Sequence, residues 1–158
     1  MNHEPVINID TAALLMGVSK RTLWRYLSDG RLSTLPKDED GRVMLLVAEV
    51  AERCKFRLQA GDGDMETDDH ALLALADGGD AVAQTGFALL MLEQGIHELA
   101  LHYLQLAAAQ GHADAMQHLA NLYQAGTGVT QCFDTALSWR SKAAALGHPV
   151  AREQLALM

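Results

Sequence analysis

Cysteine, proline and aromatic residues are scarce in this sequence of 158 residues, which holds two Cys, three Pro, two Trp, three Tyr and three Phe. Cys54 and Cys132 lie far apart and belong to no Cys-x-x-Cys pattern. This spacing argues against a disulfide framework and predicts reduced, packed thiols in a reducing compartment. Alanine and leucine are abundant instead, which favours helices over sheets. The composition therefore predicts a mainly α-helical protein.

Long apolar runs are absent as well. No stretch approaches the roughly 18 uninterrupted apolar residues that a transmembrane helix needs. The first residues, Met1 to Pro5, contain no basic segment followed by an apolar one, as a secretory signal would. We therefore expect no signal peptide, no contact with a membrane and a cytoplasmic location.

Motifs of catalysis and metal binding are also missing. The sequence has no His-Glu-x-x-His, no Gly-x-Ser-x-Gly and no phosphate-binding loop. Its seven histidines do not form a ligand pattern, since His97 and His102 are five residues apart and do not share a helical face. We therefore predict that the protein is not an enzyme and has no catalytic residue, metal site or cofactor.

Positive charge is short overall and unevenly placed. The net charge is −8, with nine basic and eight acidic residues in 1–60 but three basic and twelve acidic residues in 61–158. This balance argues against a chain coated in nucleic acid and indicates two halves of different kind. Between the halves, residues 61–69 contain two glycines, five carboxylates and no basic residue. They predict an acidic flexible linker between domains at 1–60 and 70–158, and they lack the terminal Glu of an EF-hand calcium loop.

In the first half, two short helices are predicted around a glycine turn. Asn8 or Asp10 can cap a first helix, and Gly17 can end it with a positive φ angle. Ser19 can cap a second helix, which Gly30 can close. A helix, a turn of three to four residues and a second capped helix are the layout of a helix-turn-helix.

The second helix has a basic face. Leu23 and Leu27 are four residues apart and form a narrow apolar stripe that must pack on neighbouring elements. The residues that fall away from this stripe are Lys20, Arg21, Trp24, Arg25 and Ser28. Solvated surface charge is the ordinary interpretation of such a face. The preceding helix and turn favour instead a face that enters a DNA groove.

These residues carry a family resemblance. The stretch from Ile9 to Leu32, with its Gly-Val-Ser-x-Arg-Thr-Leu core, resembles the winged helix-turn-helix of the MerR-like superfamily, closest to its excisionase and AlpA-type branch. By composition, residues 31–36 and 42–47 form a β-hairpin wing, and residues 48–60 form a helix that would close the domain. The DNA-binding residues expected from this reading are Ser19, Lys20, Arg21, Thr22, Trp24, Arg25, Lys37 and Arg42.

Two features of the first half argue against strong DNA binding. Three carboxylates, Asp38, Glu39 and Asp40, stand in the wing turn, where they would repel phosphate. The near-zero net charge of the first half offers few phosphate contacts per copy. Small winged domains usually work as dimers, so the resemblance implies a homodimer for DNA binding.

The second half repeats. Residues 107–112 (Ala-Ala-Ala-Gln-Gly-His) recur as residues 143–148 (Ala-Ala-Ala-Leu-Gly-His) at a shift of 36, and further upstream Ala83 pairs with Ala115 at a shift of 32. A period in the mid-thirties with two helices per unit predicts an α-solenoid. Helices are predicted at 69–77, 81–94, 96–110, 113–125, 132–146 and 149–157. This half resembles Sel1-like repeats, a tetratricopeptide-like class, with about two repeats and a terminal capping helix.

Two functions are consistent with this organisation. The first is a transcriptional regulator that binds DNA through the helix-turn-helix and recruits or senses a protein partner through the repeats. The alternative is a protein–protein adaptor whose helix-turn-helix is a docking module without DNA activity. The acidic balance and the acidic wing turn support the adaptor, but the helix-turn-helix pattern makes the DNA-binding regulator the favoured prediction.

Overall fold

The computed structural model describes residues 4–61 and 68–158, which divide into two compact units between Gly79 and Asp80. Within these residues nine helices and two short strands form, so the prediction of a mainly α-helical protein is confirmed. The elements are β1 (Val6–Asn8), α1 (Ile9–Met16), α2 (Lys20–Ser28), β2 (Met44–Leu46), α3 (Val47–Ala51), α4 (Asp69–Asp77), α5 (Ala81–Glu93), α6 (His97–Ala109), α7 (Ala113–Ala125), α8 (Phe133–Ala145) and α9 (Pro149–Ala156).

The first two helices form with the caps that the sequence predicts. Asn8 caps α1, because its side-chain oxygen accepts a hydrogen bond from the backbone N–H of Thr11 at 3.0 Å. Gly17 ends α1 in the left-handed region at φ 66°, where a side chain would be strained. The Oγ of Ser19 accepts from the N–H of Thr22 at 3.1 Å and starts α2. The two helices are thus joined by a three-residue turn.

The predicted wing hairpin is reduced to one bridge. The strand β2 pairs antiparallel with β1 from the N-terminus, and Ile7 lies opposite Leu45 with both side chains fully buried. The other predicted arm contributes only an isolated bridge between Leu35 and Met44. Burial of an apolar cross-strand pair explains this choice of partner, because such pairs stabilise short strands.

The predicted helix over 48–60 is wrong for most of its length. The helix α3 ends at Ala51, and the chain continues without regular structure to Gly61. Phe56 is buried in this irregular segment. The backbone N–H of Gln59 donates to the Asp69 carboxylate at 2.8 Å, and its carbonyl accepts from the Asp69 N–H at 2.8 Å. Tertiary burial and these bonds to α4 therefore override local helix propensity.

The helix α4 belongs to the first unit, although the sequence assigned it to the repeats. It packs against β1, and the carboxylate of Asp77 at its end accepts hydrogen bonds from the backbone N–H and the side-chain amide of Asn8 and from the hydroxyl of Thr11. The linker predicted at 61–69 falls mainly on residues 62–67, which lie outside the described residues, so it stays a prediction.

The second unit contains the repeat helices. Successive helices from α5 to α9 pack against each other, and α5 to α8 are each 13 residues long. The predicted boundaries agree with the observed ones within one residue. The alanines at equivalent repeat positions are buried: Ala83, Ala115 and Ala151; Ala100 and Ala136; Ala107 and Ala143; Ala108 and Ala144. Their small side chains allow the close approach of neighbouring helices.

Candidate functional site

The helix α2 presents part of the predicted DNA-binding set to solvent. Arg21, Trp24 and Arg25 are exposed, and 47% of the Trp24 surface is accessible, which is high for an indole. Within the described residues, neither Arg21 nor Arg25 forms an ion pair. Ser19 and Thr22 serve instead as the start of the helix, through the capping bond and a 3.0 Å contact between their hydroxyls.

Two other residues of the predicted DNA-binding set form ion pairs with carboxylates of the same chain. Lys20 forms an ion pair with Asp10 of α1. Arg42 donates from Nε to Asp38 at 2.8 Å and from a terminal nitrogen to Asp40 at 3.2 Å. The hydrogen bond to Asp38 raises the pKa of Arg42 above its ordinary value, while the backbone N–H of Arg42 is the main cause that lowers the pKa of Asp38.

The structure gives the predicted residues of α2 and those of the wing turn different surroundings. Among the described residues, no hydrogen bond or ion pair joins Lys37 or Arg42 to α2. Arg42 pairs with two of the three carboxylates of the wing turn, Asp38 and Asp40, which offsets part of the negative charge there. The basic surface on α2 is therefore small and consists of Arg21 and Arg25 around Trp24.

A groove in the second unit is a further candidate site, which no sequence motif predicted. It encloses about 360 Å³ between α7, α8, α9 and the residues that follow α9. Apolar side chains stand exposed along it, with 65% of Phe133 and 38% of Leu137 accessible to solvent. An exposed apolar cluster rimmed by polar residues is typical of a binding site for another protein.

A buried arginine also lines this groove. Only 6% of Arg140 is accessible, and it occupies the position that Leu104 holds in the preceding repeat, 36 residues earlier. One terminal nitrogen of its guanidinium donates to the side-chain oxygen of Gln124 at 2.5 Å. Its Nε is buried without a hydrogen-bond partner, and no carboxylate of the described residues forms an ion pair with it. The repeat alignment could have revealed this residue, because it places a charge at an apolar core position.

The repeat-turn histidines have structural roles. His148 accepts from the backbone N–H of Ala151 and so caps α9, and its other ring nitrogen lies 2.9 Å from Asp114. His112, at the equivalent position, lies 2.9 Å from the Thr85 hydroxyl. Burial lowers the pKa of His118 and opposes the charged form of its ring.

The part of the chain that the structure describes contains neither a metal-binding cluster nor a membrane-spanning helix. No group of three or more His, Cys, Asp or Glu side chains there could hold a metal ion. No helix among those residues has the length and apolar character to span a membrane.

The comparisons with known proteins concern the repeats. No family model and no curated protein matches the chain. A solved Sel1 repeat protein from Oxalobacter formigenes is similar, at 30% identity and a TM-score of 0.51, over 68% of this chain and 31% of that one. A protective antigen present in uropathogenic Escherichia coli strains, which displays an SLR fold, is 32% identical with a TM-score of 0.49 over 54% of this chain and 19% of that one.

This chain thus spans less than a third of either protein's length. The Oxalobacter structure supports the Sel1-like repeats that the sequence predicted. These similarities provide no support for the MerR-like resemblance of the first half. The repeat half of this chain is therefore similar to Sel1 repeat proteins.

Proposed function

We propose that this protein is an interaction module that binds another protein through its Sel1-like repeat unit. This is the adaptor alternative of the sequence analysis, and the similarity to a solved Sel1 repeat protein is the observation that carries it. Stacked helical repeats offer extended surfaces to partners. The absence of catalytic motifs from the sequence is consistent with a binding role.

Exposed apolar side chains on the repeat unit add support. The exposed apolar side chains are Val82, Leu106, Phe133 and Leu137, whereas the repeat alanines between the same helices are buried. Apolar groups left in water at several positions gain free energy when a partner covers them. Photo-crosslinking from these positions in living cells tests the proposal, because it captures only proteins in direct contact.

DNA binding through α2 is the second candidate function. The observation that favours it is the exposure of Arg21, Trp24 and Arg25 on a capped helix that follows a three-residue turn. Two arginines per copy supply few phosphate contacts, so specific binding would need a homodimer. Titration of a DNA duplex with the full-length protein, at low and then at higher salt, tests this second function.

A further inference from the structure

We propose that the groove around Arg140 binds a segment of a partner protein in which one carboxylate stands between apolar side chains. This inference rests on the proposed protein-binding function and specifies the chemistry of the partner. The groove lies wholly within the second unit, where α7, α8 and α9 supply its walls.

The apolar part of the partner segment follows from the groove rim. Phe133 and Leu137 on α8 and Leu157 after α9 line the groove, and 83% of Leu157 is exposed. Side chains of this size gain free energy when apolar groups of a partner remove them from water. A polar segment would leave this gain unused, so the partner must contribute apolar side chains.

The carboxylate follows from Arg140. At the equivalent position of the first repeat, Leu104 is fully buried and satisfies the core without charge. In the second repeat the buried guanidinium makes, within the described part of the chain, one hydrogen bond, to neutral Gln124, and its Nε has no partner there. A buried charge without a counter-charge is costly, whereas a carboxylate can accept two parallel bonds from a guanidinium.

The charge around the groove limits how acidic the partner can be. Asp134 lines the same groove and makes no ion pair with Arg140 among the described residues. Residues 61–158 hold three basic and twelve acidic side chains, so this half repels a polyanion such as nucleic acid. One carboxylate for one guanidinium, on an otherwise apolar segment, satisfies both conditions.

The experiment uses displayed random short peptides selected on the full-length protein. The affinity of synthetic copies is then measured by fluorescence anisotropy. We expect the selected peptides to share one Asp or Glu between apolar residues. Replacing that acid by its amide should weaken binding at least about tenfold, because a desolvated charge pair loses one partner.

The protein variants test the same pair from the other side. Arg140→Leu restores the residue type of the first repeat and so should fold, and it should weaken binding by a similar factor. Combining the acid-to-amide change in the peptide with Arg140→Leu should lower the affinity little more than either change alone. This non-additivity is expected if the two groups are in direct contact. Lys142→Leu is the matched control, because it removes one exposed positive charge from the same helix outside the groove. Leu137→Gln should weaken binding, whereas Leu146→Gln, also exposed on this unit, should not.

Several outcomes would overturn the groove proposal. Peptides that bind Arg140→Leu and Leu137→Gln as tightly as the parent would place the contact elsewhere and leave protein binding itself intact. A library that yields no binding peptide would also contradict the groove proposal. Crosslinking from Leu106, which lies outside the groove, tests protein binding by the repeat unit independently. A dimer in sedimentation velocity that Arg140→Leu dissociates would identify the occupant as a second copy of this chain.

Discussion

Asp77 and Asn8 are joined by two hydrogen bonds across 69 positions of sequence. The backbone N–H of Asn8 donates to the Asp77 carboxylate at 2.9 Å, and the side-chain amide donates at 2.7 Å. Asn8 also caps α1, so the carboxylate fixes the orientation of the residue that starts this helix. The first unit therefore depends on a helix, α4, that lies beyond its own predicted boundary.

Removal of this carboxylate should loosen α1. We expect Asp77→Ala to destabilise the first unit by roughly 1.5–3 kcal/mol, the range for a hydrogen bond to a charged group. Amide hydrogen exchange in Ile9–Met16 should quicken, while exchange in α5 to α8 should not change. Glu52→Ala is the control, since this exposed carboxylate accepts no hydrogen bond among the described residues. Unchanged exchange in α1 would show that Asp77 is dispensable.

Two repeat-loop glycines separate backbone strain from crowding. Gly111 and Gly128 have φ angles of 83° and 71°, so alanine is strained at either position. A Cβ at Gly111 would meet no atom within 4 Å, whereas one at Gly128 would overlap the Cβ of His97. We expect Gly111→Ala to cost about 1 kcal/mol. Gly128→Ala should cost roughly 1–3 kcal/mol more through overpacking.

Chemical unfolding of both variants measures the difference. If Gly128→Ala lowers the free energy of unfolding no more than Gly111→Ala does, the loop after α7 does not pack on His97.

The two thiols should react at different rates. Burial raises the pKa of Cys54 to about 11. A hydrogen bond from the Thr135 hydroxyl to the sulfur, at 3.1 Å, is the largest cause that lowers the pKa of Cys132. Because the thiolate is the nucleophile, about one Cys54 in a thousand is reactive at pH 8. Iodoacetamide should therefore alkylate Cys132 first, as peptide mass spectrometry would show. Equal alkylation rates of the two thiols are expected only after unfolding. Equal rates in the native protein would therefore contradict the burial of Cys54 and the hydrogen bond to Cys132.

The repeat half was predictable because its signals are local and recur. The helix boundaries follow from alanine positions repeated at fixed shifts, and the turn glycines Gly111 and Gly147 have the positive φ angles that the sequence predicted. The caps of α1 and α2 were predictable for the same reason, since Asn8 and Ser19 act within three residues.

The remaining features depend on contacts that the sequence does not show. The hydrogen bonds between Asn8 and Asp77 join residues far apart in sequence, and they connect α4 to the first unit. The helix predicted over 48–60 fails because Phe56 is buried by tertiary packing. Arg140 belongs to no motif; its burial, its Nε without a hydrogen-bond partner and its charge at an apolar repeat position mark it as a site.

DNA binding by α2 should depend on its two exposed arginines. Arg21→Ala and Arg25→Ala should leave stability within about 0.5 kcal/mol, because both side chains are on the surface. Each should lower DNA affinity by roughly 1–3 kcal/mol if it contacts a base. Arg42→Ala is the comparison, since Asp38 and Asp40 already hold this guanidinium. Equal binding by the parent and both α2 variants would exclude this face as the DNA contact.

The site at which a partner crosslinks tests protein binding by the repeat unit most directly. A photoreactive phenylalanine analogue placed at Leu106 or Leu137, in the full-length protein in cells, should form adducts with one protein whose purified form binds the repeat unit. The same analogue at Leu14, exposed in the first unit, is the control. Protein binding by the repeat unit predicts the adduct from the repeat positions and not from Leu14. Adducts to a protein from Leu14 alone, with none from either repeat position, would contradict it.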